Sequence, residues 1–251
     1  MMNKKLTTFL AIAAFGFAAQ TNGATIFSDN FTAGTNGALN GQAPQERPGL
    51  ETWRASSNYT VNIAGDGVVT SSGSGSANLA LPAFDLNSIY TVTATVTNNR
   101  TDTNWIGIGF TTQTTNTNAW NVAGTGTYWM LWRGNDEIRA FDGTGATSSS
   151  GATGVTAAGV SNTLDLRVML DFTAPGFGLA TYMYKNPNAT DWTIYTTSNI
   201  TEARRNGINS VGFTTLNNNI SISSFEYALV PEPSSALLGG LGLLALLRRR
   251  R

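Results

Sequence analysis

The sequence predicts an all-β fold, an antiparallel β-sandwich of the jelly-roll kind, and three observations predict it. Runs of five to nine residues alternate apolar and polar side chains with period two, as strands with one buried face do. No window of comparable strength carries the helical period, so nothing supplies the crossovers that parallel strands need. Between the runs lie clusters of Asn, Ser, Thr and Gly, with Asn-Gly at 22, 36, 40 and 206, which are residues of antiparallel turns.

The chain opens on Met1-Met2-Asn3-Lys4-Lys5, continues from Leu6 to Ala19 almost without a polar residue, and leaves through Gln20-Thr21-Asn22-Gly23-Ala24. A basic start, an apolar run and a small-residue exit make up a secretory signal peptide, cut by signal peptidase just before Thr25. The expected organisation is a signal peptide at 1–24, one sandwich domain at 25–229 and a sorting tail at 230–251.

Within the domain, Ile89 to Thr97 alternates through Tyr90, Val92, Ala94 and Val96, with threonines on the other face. Trp105 to Thr111 follows, then Tyr128 to Trp132. In the latter Tyr128, Met130 and Trp132 share one face and Trp129 and Leu131 the other, which predicts an exposed aromatic on one side. Glu137 to Phe141 is short, and the stretch from Gly143 to Ser161 is expected to be a long loop. The clearest strand is Thr163 to Asp171, where Leu164, Leu166, Val168 and Leu170 oppose Asp165, Arg167 and Asp171. Leu179 to Tyr184 and Ile220 to Tyr227 complete the set.

The tail reads Val230-Pro231-Glu232-Pro233-Ser234-Ser235, then twelve mostly apolar residues from Ala236 to Leu247, then Arg248, Arg249, Arg250 and Arg251. The prolines keep the first part extended. A short hydrophobic helix is expected next, reaching about 18 Å against a hydrocarbon core of about 30 Å. The arginines stay cytoplasmic by the positive-inside rule, which leaves the domain outside, as the signal peptide also requires. This order of motif, apolar stretch and basic cluster resembles the PEP-CTERM sorting signals. The resemblance implies an exosortase that recognises Pro231, Glu232 and Pro233 and removes the tail. It implies transient anchoring in the inner membrane followed by residence at the cell surface or in an extracellular, polysaccharide-rich biofilm matrix.

Composition narrows the chemistry. The formal charge is zero, but removing Lys4, Lys5, Arg248 to Arg251 and Glu232 leaves nine cations against fourteen anions in the core. Such a core offers no basic stripe for phosphates, so nucleic acid is not an expected partner. The chain has no Cys and no His, which excludes disulfides, thiol chemistry and the usual serine triad.

Several segments taken in order resemble the concanavalin A-like or laminin-G-like jelly roll: Asp29-Asn30-Phe31, Leu39-Asn40-Gly41-Gln42 with Trp53, Trp105 to Phe110, the Leu164 strand, and Val211-Gly212-Phe213 before Ile220 to Tyr227. Members of that superfamily bind carbohydrate, bind proteins through calcium, or hydrolyse glucans, so the fold leaves the activity open. A retaining glycosidase needs two carboxylates about 5 to 5.5 Å apart. No Glu-x-Asp-x-Glu or close variant supplies them here, so no catalytic residue is assigned and the core is expected to be non-catalytic. Polysaccharide is the expected ligand, with Trp105, Trp129 and Trp132 as stacking candidates, because sugar rings present apolar faces to an indole. Packing in the core is the competing role of these tryptophans. Calcium is the one cofactor left open, with Asp29, Asp66, Asp102 and Asp142 near expected turns. The alternatives are a glycan-active hydrolase with a carboxylate pair from distant strands, and a calcium-linked protein adhesion module.

Overall fold

The computed structural model describes residues 24–230 apart from 48, 50, 64–66, 100, 114–118, 121–125, 144–145 and 153–161. The expected signal peptide, the sorting tail with its short helix, and Asp66 lie outside these residues.

Sixteen strands and one short helix follow in order: β1 (Ala24–Asp29), β2 (Gly37–Ala38), β3 (Arg54–Ala55), β4 (Tyr59–Asn62), β5 (Val68–Ser72), β6 (Gly75–Ala80), β7 (Ile89–Asn98), β8 (Trp105–Thr111), β9 (Gly126–Arg133), β10 (Glu137–Phe141), β11 (Ala146–Ala152), β12 (Thr163–Asp171), β13 (Leu179–Lys185), β14 (Thr193–Asn199), α1 (Glu202–Gly207), β15 (Ser210–Leu216) and β16 (Asn218–Val230). They build two antiparallel sheets. The nine-stranded sheet runs β14-β13-β12-β7-β16-β5-β4-β2, with β1 also against β16. The seven-stranded sheet runs β11-β10-β9-β8-β15-β6-β3.

Period two becomes packing. In β12 Leu164, Leu166, Val168 and Leu170 are fully buried while Asp165, Arg167, Met169 and Asp171 are half-buried on the other face. In β7 Tyr90, Val92, Ala94 and Val96 point the same way. They meet Ile106, Ile108, Phe110, Tyr128, Met130 and Trp132 of the seven-stranded sheet in one continuous core. That apolar face-to-face burial is the main favourable term in a chain without disulfides.

The segments from the two halves of the chain close the sandwich together. Trp53 donates its indole N–H to Asp29 Oδ2 at 2.8 Å. Its ring packs on Phe213 and Phe225 at 5.2 Å each and on Phe31 at 6.1 Å. Strand β16 shifts register between Ile222 and Ser224, pairing β5 before the shift and β1 after it. A bulge of this kind turns the strand and lets it serve two neighbours.

Three expectations need correction. The stretch from Gly143 to Ser161 is not simply a loop, because β11 within it pairs antiparallel with β10, Arg139 opposite Ser149. Its sequence Ala-Thr-Ser-Ser-Ser-Gly-Ala has no apolar alternation, as an edge strand permits. The described Asn-Gly pairs do not form the hairpin turns: Gly37 lies in β2, Gly41 takes φ +83° in a turn, and Asn206-Gly207 ends α1. The β9–β10 hairpin instead turns through Gly134 to Asp136, with Asp136 at φ +68° and its N–H on the Arg133 carbonyl. Finally, both faces of Tyr128 to Trp132 are buried, so no aromatic is exposed there.

Candidate carbohydrate-binding faces

The outer face of the seven-stranded sheet is apolar at its middle. Gly107 and Gly109 of β8 point outward there, opposite Leu131 and Trp129 of β9. The Trp129 indole lies over this glycine floor; a Cβ on Gly107 would come within 2.9 Å of its ring. Gly109 takes φ +148°, and a Cβ there would meet the Tyr128 carbonyl oxygen at 2.3 Å. Phe141 stacks on Trp129 at 4.3 Å, Trp105 approaches it at 5.5 Å, and Trp120 meets it edge-on at 5.8 Å. The Trp120 backbone N–H donates to Thr214 Oγ1 of β15 at 3.0 Å, which fixes that residue across the sheet.

These contacts place the expected stacking residues. Trp132 is 0% exposed, inside the main core, where no sugar ring reaches it. Trp129 at 1% and Trp105 at 8% belong to the outer cluster with Leu131 and Phe141, already covered by the chain itself. The three are not brought together as an open platform. Beside them Glu137 holds Arg133 and Arg139 in ion pairs. Burial raises the Glu137 carboxyl, but the hydrogen bonds and charges of Arg139 and Arg133 outweigh it and hold its pKa below the ordinary value.

A different tryptophan is accessible. Trp192 immediately precedes β14 and is half-buried, whereas the other five tryptophans are buried. It lies over the outer face of the nine-stranded sheet. The Arg167 guanidinium sits 4.0 Å from the ring centroid and the Lys185 ammonium 5.2 Å, both within cation–π range. Arg167 Nε donates to Thr93 Oγ1 at 3.0 Å. Burial lowers the Arg167 pKa, while Glu226 and Asp165 oppose that shift by charge. Asp165 accepts the Thr95 hydroxyl at 2.7 Å and pairs with Lys185 at 3.6 Å. Register explains the grouping: Thr93 of β7 lies between Arg167 of β12 and Glu226 of β16, and Thr95 between Asp165 and Ser224. An indole in contact with two cations thus stands over a row of hydroxyl, carboxylate and guanidinium groups, the inventory that hydrogen-bonds sugar hydroxyls. The Thr-x-Thr-x-Thr-x-Thr alternation of β7 was the available signal for this face, but Trp192 lies outside every alternating run.

The calcium candidates have other partners. Asp29 is buried, bonded to Trp53 and to the Phe31 N–H at 2.9 Å. Asp102 accepts the Asn104 backbone N–H at 3.0 Å and its side-chain amide at 2.7 Å. Asp142 is half-buried near Tyr128 and Tyr182. Among the described residues no three acidic side chains are grouped as a metal site.

The family model described as the PEP-CTERM protein-sorting motif matches residues 229–251. It implies export, transient membrane anchoring and recognition by exosortase. No curated protein matches the chain in sequence. Among solved structures, arcelin-5, a lectin-like defense protein from Phaseolus vulgaris, is 8% identical over 71% of this chain and 92% of its own, with a TM-score of 0.50. Trypanosoma rangeli sialidase is 12% identical over 82% of this chain, with a TM-score of 0.50; the match takes in only 31% of the sialidase. Lectin II from Ulex europaeus is 10% identical over 75% of this chain and 95% of its own, with a TM-score of 0.47. At such identities the likeness concerns the fold alone. The chain therefore carries a PEP-CTERM protein-sorting motif behind an antiparallel sandwich whose structural neighbours have the concanavalin A-like, legume-lectin-like jelly-roll fold.

Proposed function

We propose that the protein is sorted to the cell surface or extracellular matrix, where its non-catalytic core binds polysaccharide through the outer face of the nine-stranded sheet, around Trp192. The observation that carries this reading is the partial exposure of Trp192, held by Arg167 beside Thr93, Thr95, Asp165, Lys185 and Glu226. A stacked indole loses little freedom when a sugar ring packs on it, and preorganisation of this kind favours binding. The non-catalytic reading is supported by the engagement of the carboxylates: Glu137 by two arginines, Asp165 by Lys185 and Thr95, Asp29 by Trp53.

The test is depletion of the chain from Ala24 to Val230 by a panel of insoluble polysaccharides. Depletion by at least one polymer is expected for wild type and Trp105→Phe, with a loss of at least roughly tenfold in affinity for Trp192→Ala, as removal of a central aromatic anchor gives. No depletion by any polymer, or unchanged binding by Trp192→Ala, overturns the proposal.

A further inference from the structure

The two ends of the folded chain leave it side by side, since Ala24 lies opposite Leu229 and Val230 opposite Ile89. Asp171 also lies opposite Ile89, Leu179 opposite Asp171, and Asn199 opposite Leu179. The connections 81–88, 172–178 and 200–209 therefore gather at the end of the sandwich from which the tail departs. Of the three exposed large hydrophobic residues among the described ones, two are there, Leu86 at 45% and Phe177 at 42%. A groove of about 310 Å³ opens beside Leu86, lined by Leu81, Pro82, Phe84, Arg205 and Ile208 among others. The Arg205 guanidinium lies 5.3 Å from the Phe177 ring, and its Nε is buried without a hydrogen-bond partner. Among the described residues the exposed carboxylates of this end are Asp85, which accepts the Asn87 N–H and the Ser88 hydroxyl, and Glu202.

Only five residues, Pro231 to Ser235, separate the last ladder residue from the apolar run that begins at Ala236. Fully extended, that span reaches roughly 20 Å. A tail seated in the inner membrane therefore holds this end of the sandwich against the bilayer.

We propose that this end docks on the outer leaflet of the inner membrane while the tail is in place, with Leu86 and Phe177 entering the interface and Arg205 meeting a lipid phosphate. The proposal rests on the anchoring that the sorting motif implies. Two apolar side chains without a basic patch would hold a free protein weakly. The tether changes this, because it makes the contact intramolecular and its effective concentration high. Docking also turns the β13–β14 hairpin, which reverses at the opposite end just before Trp192, away from the membrane and toward extracellular polymer.

The chain has no cysteine, so a single introduced thiol takes a fluorophore uniquely. The chain from Thr25 to Arg251, without the expected signal peptide, is reconstituted in vesicles of phosphatidylethanolamine and phosphatidylglycerol carrying nitroxide-labelled headgroups. One label sits at Pro175→Cys in the docking end, another at Thr101→Cys at the far end. Fluorescence loss at 175 but not at 101 is expected. Adding Leu86→Ser with Phe177→Ser should weaken the loss at 175 while the protein still floats with the vesicles, and an unchanged loss, which the tether alone would give, overturns the docking. Protein that floats but shows equal fluorescence at both labels overturns the docking alone. Protein that fails to float overturns the anchoring and the docking with it.

Discussion

Asp29 and Glu137 show how burial and charge divide two carboxyls. Burial raises the Asp29 carboxyl above its ordinary 3.8, while the hydrogen bonds from Trp53 and Phe31 lower it, and burial prevails. The folded chain then holds that proton more tightly than the unfolded one. The stability this group provides is complete below pH 3.8 and declines as pH rises through the folded value. Glu137 works in the opposite sense: its contribution is present above the ordinary 4.5 and is lost as pH falls through its lowered value. Trp53→Phe keeps the ring but removes the donor to Asp29 Oδ2, leaving a buried oxygen unpaired. It should cost about 1–3 kcal/mol at pH 7 and less near pH 3.8, where the raised pKa leaves the folded Asp29 more protonated. Urea unfolding at the two pH values measures the difference, and an equal cost at both would refute the coupling. At this scale the sequence was only partly legible. Asp29 and Trp53 stood out as residues of a fold pattern, but their hydrogen bond joins positions 24 residues apart. The tryptophans could not be sorted into core and surface, because alternation assigns a side chain to a face and does not show what covers that face.

Strands with one apolar face were legible because burial on one side writes period two into the sequence, as in β7 and β12. Strands held by pairing alone were not. Residues of β14 (Thr-Ile-Tyr-Thr-Thr-Ser-Asn) are half-buried or exposed, and β11 is nearly all small and polar, as suits the two outer positions they occupy in their sheets. Helix α1 is only six residues long, buries none of them and has no side-chain cap, so it leaves little pattern in the sequence. The inner strand β15 shows the opposite pressure. It runs between β6 and β8, and a Cβ on Gly212 would come within 1.9 Å of the Ala77 carbonyl oxygen. Backbone must move to admit even one methyl group. Gly212→Ala should therefore destabilise the fold by about 3 kcal/mol or more, whereas Gly207→Ala, at the end of α1 with its nearest contact a Thr112 methyl at 3.3 Å, should stay within about 1 kcal/mol. Thermal unfolding of the two variants decides, and comparable losses would show that the ladder tolerates the displacement.

At the scale of the whole molecule, the fold and the sorting motif share a boundary. The matched motif begins at Leu229, still in β16, where Leu229 packs against the main core and lies opposite Tyr90. The tail's address was legible because Pro231-Glu232-Pro233, an apolar run and four arginines are contiguous in the sequence. A boundary between 229 and 230 was expected from that motif, but that β16 runs beyond Tyr227 to Val230 was not legible, because it depends on pairing with β1 and β7, whose residues are far away along the chain. The arrangement makes a sharp prediction about what remains after the tail is removed. A chain ending at Val230 keeps every described ladder contact of β16 and should unfold at the temperature of the intact domain. A chain ending at Glu226 loses Tyr227, which is fully buried and stacks on Phe27 at 5.7 Å and Tyr90 at 5.8 Å. It also loses Leu229 and the pairings that hold Ala24 to Phe27. Removal of one such aromatic from a core costs about 3–5 kcal/mol, a large share of the stability of an ordinary domain. The shorter chain should accordingly be unfolded or aggregated in calorimetry and circular dichroism. If it instead melts cooperatively near the temperature of the longer one, the last turns of β16 belong to the tail rather than to the fold.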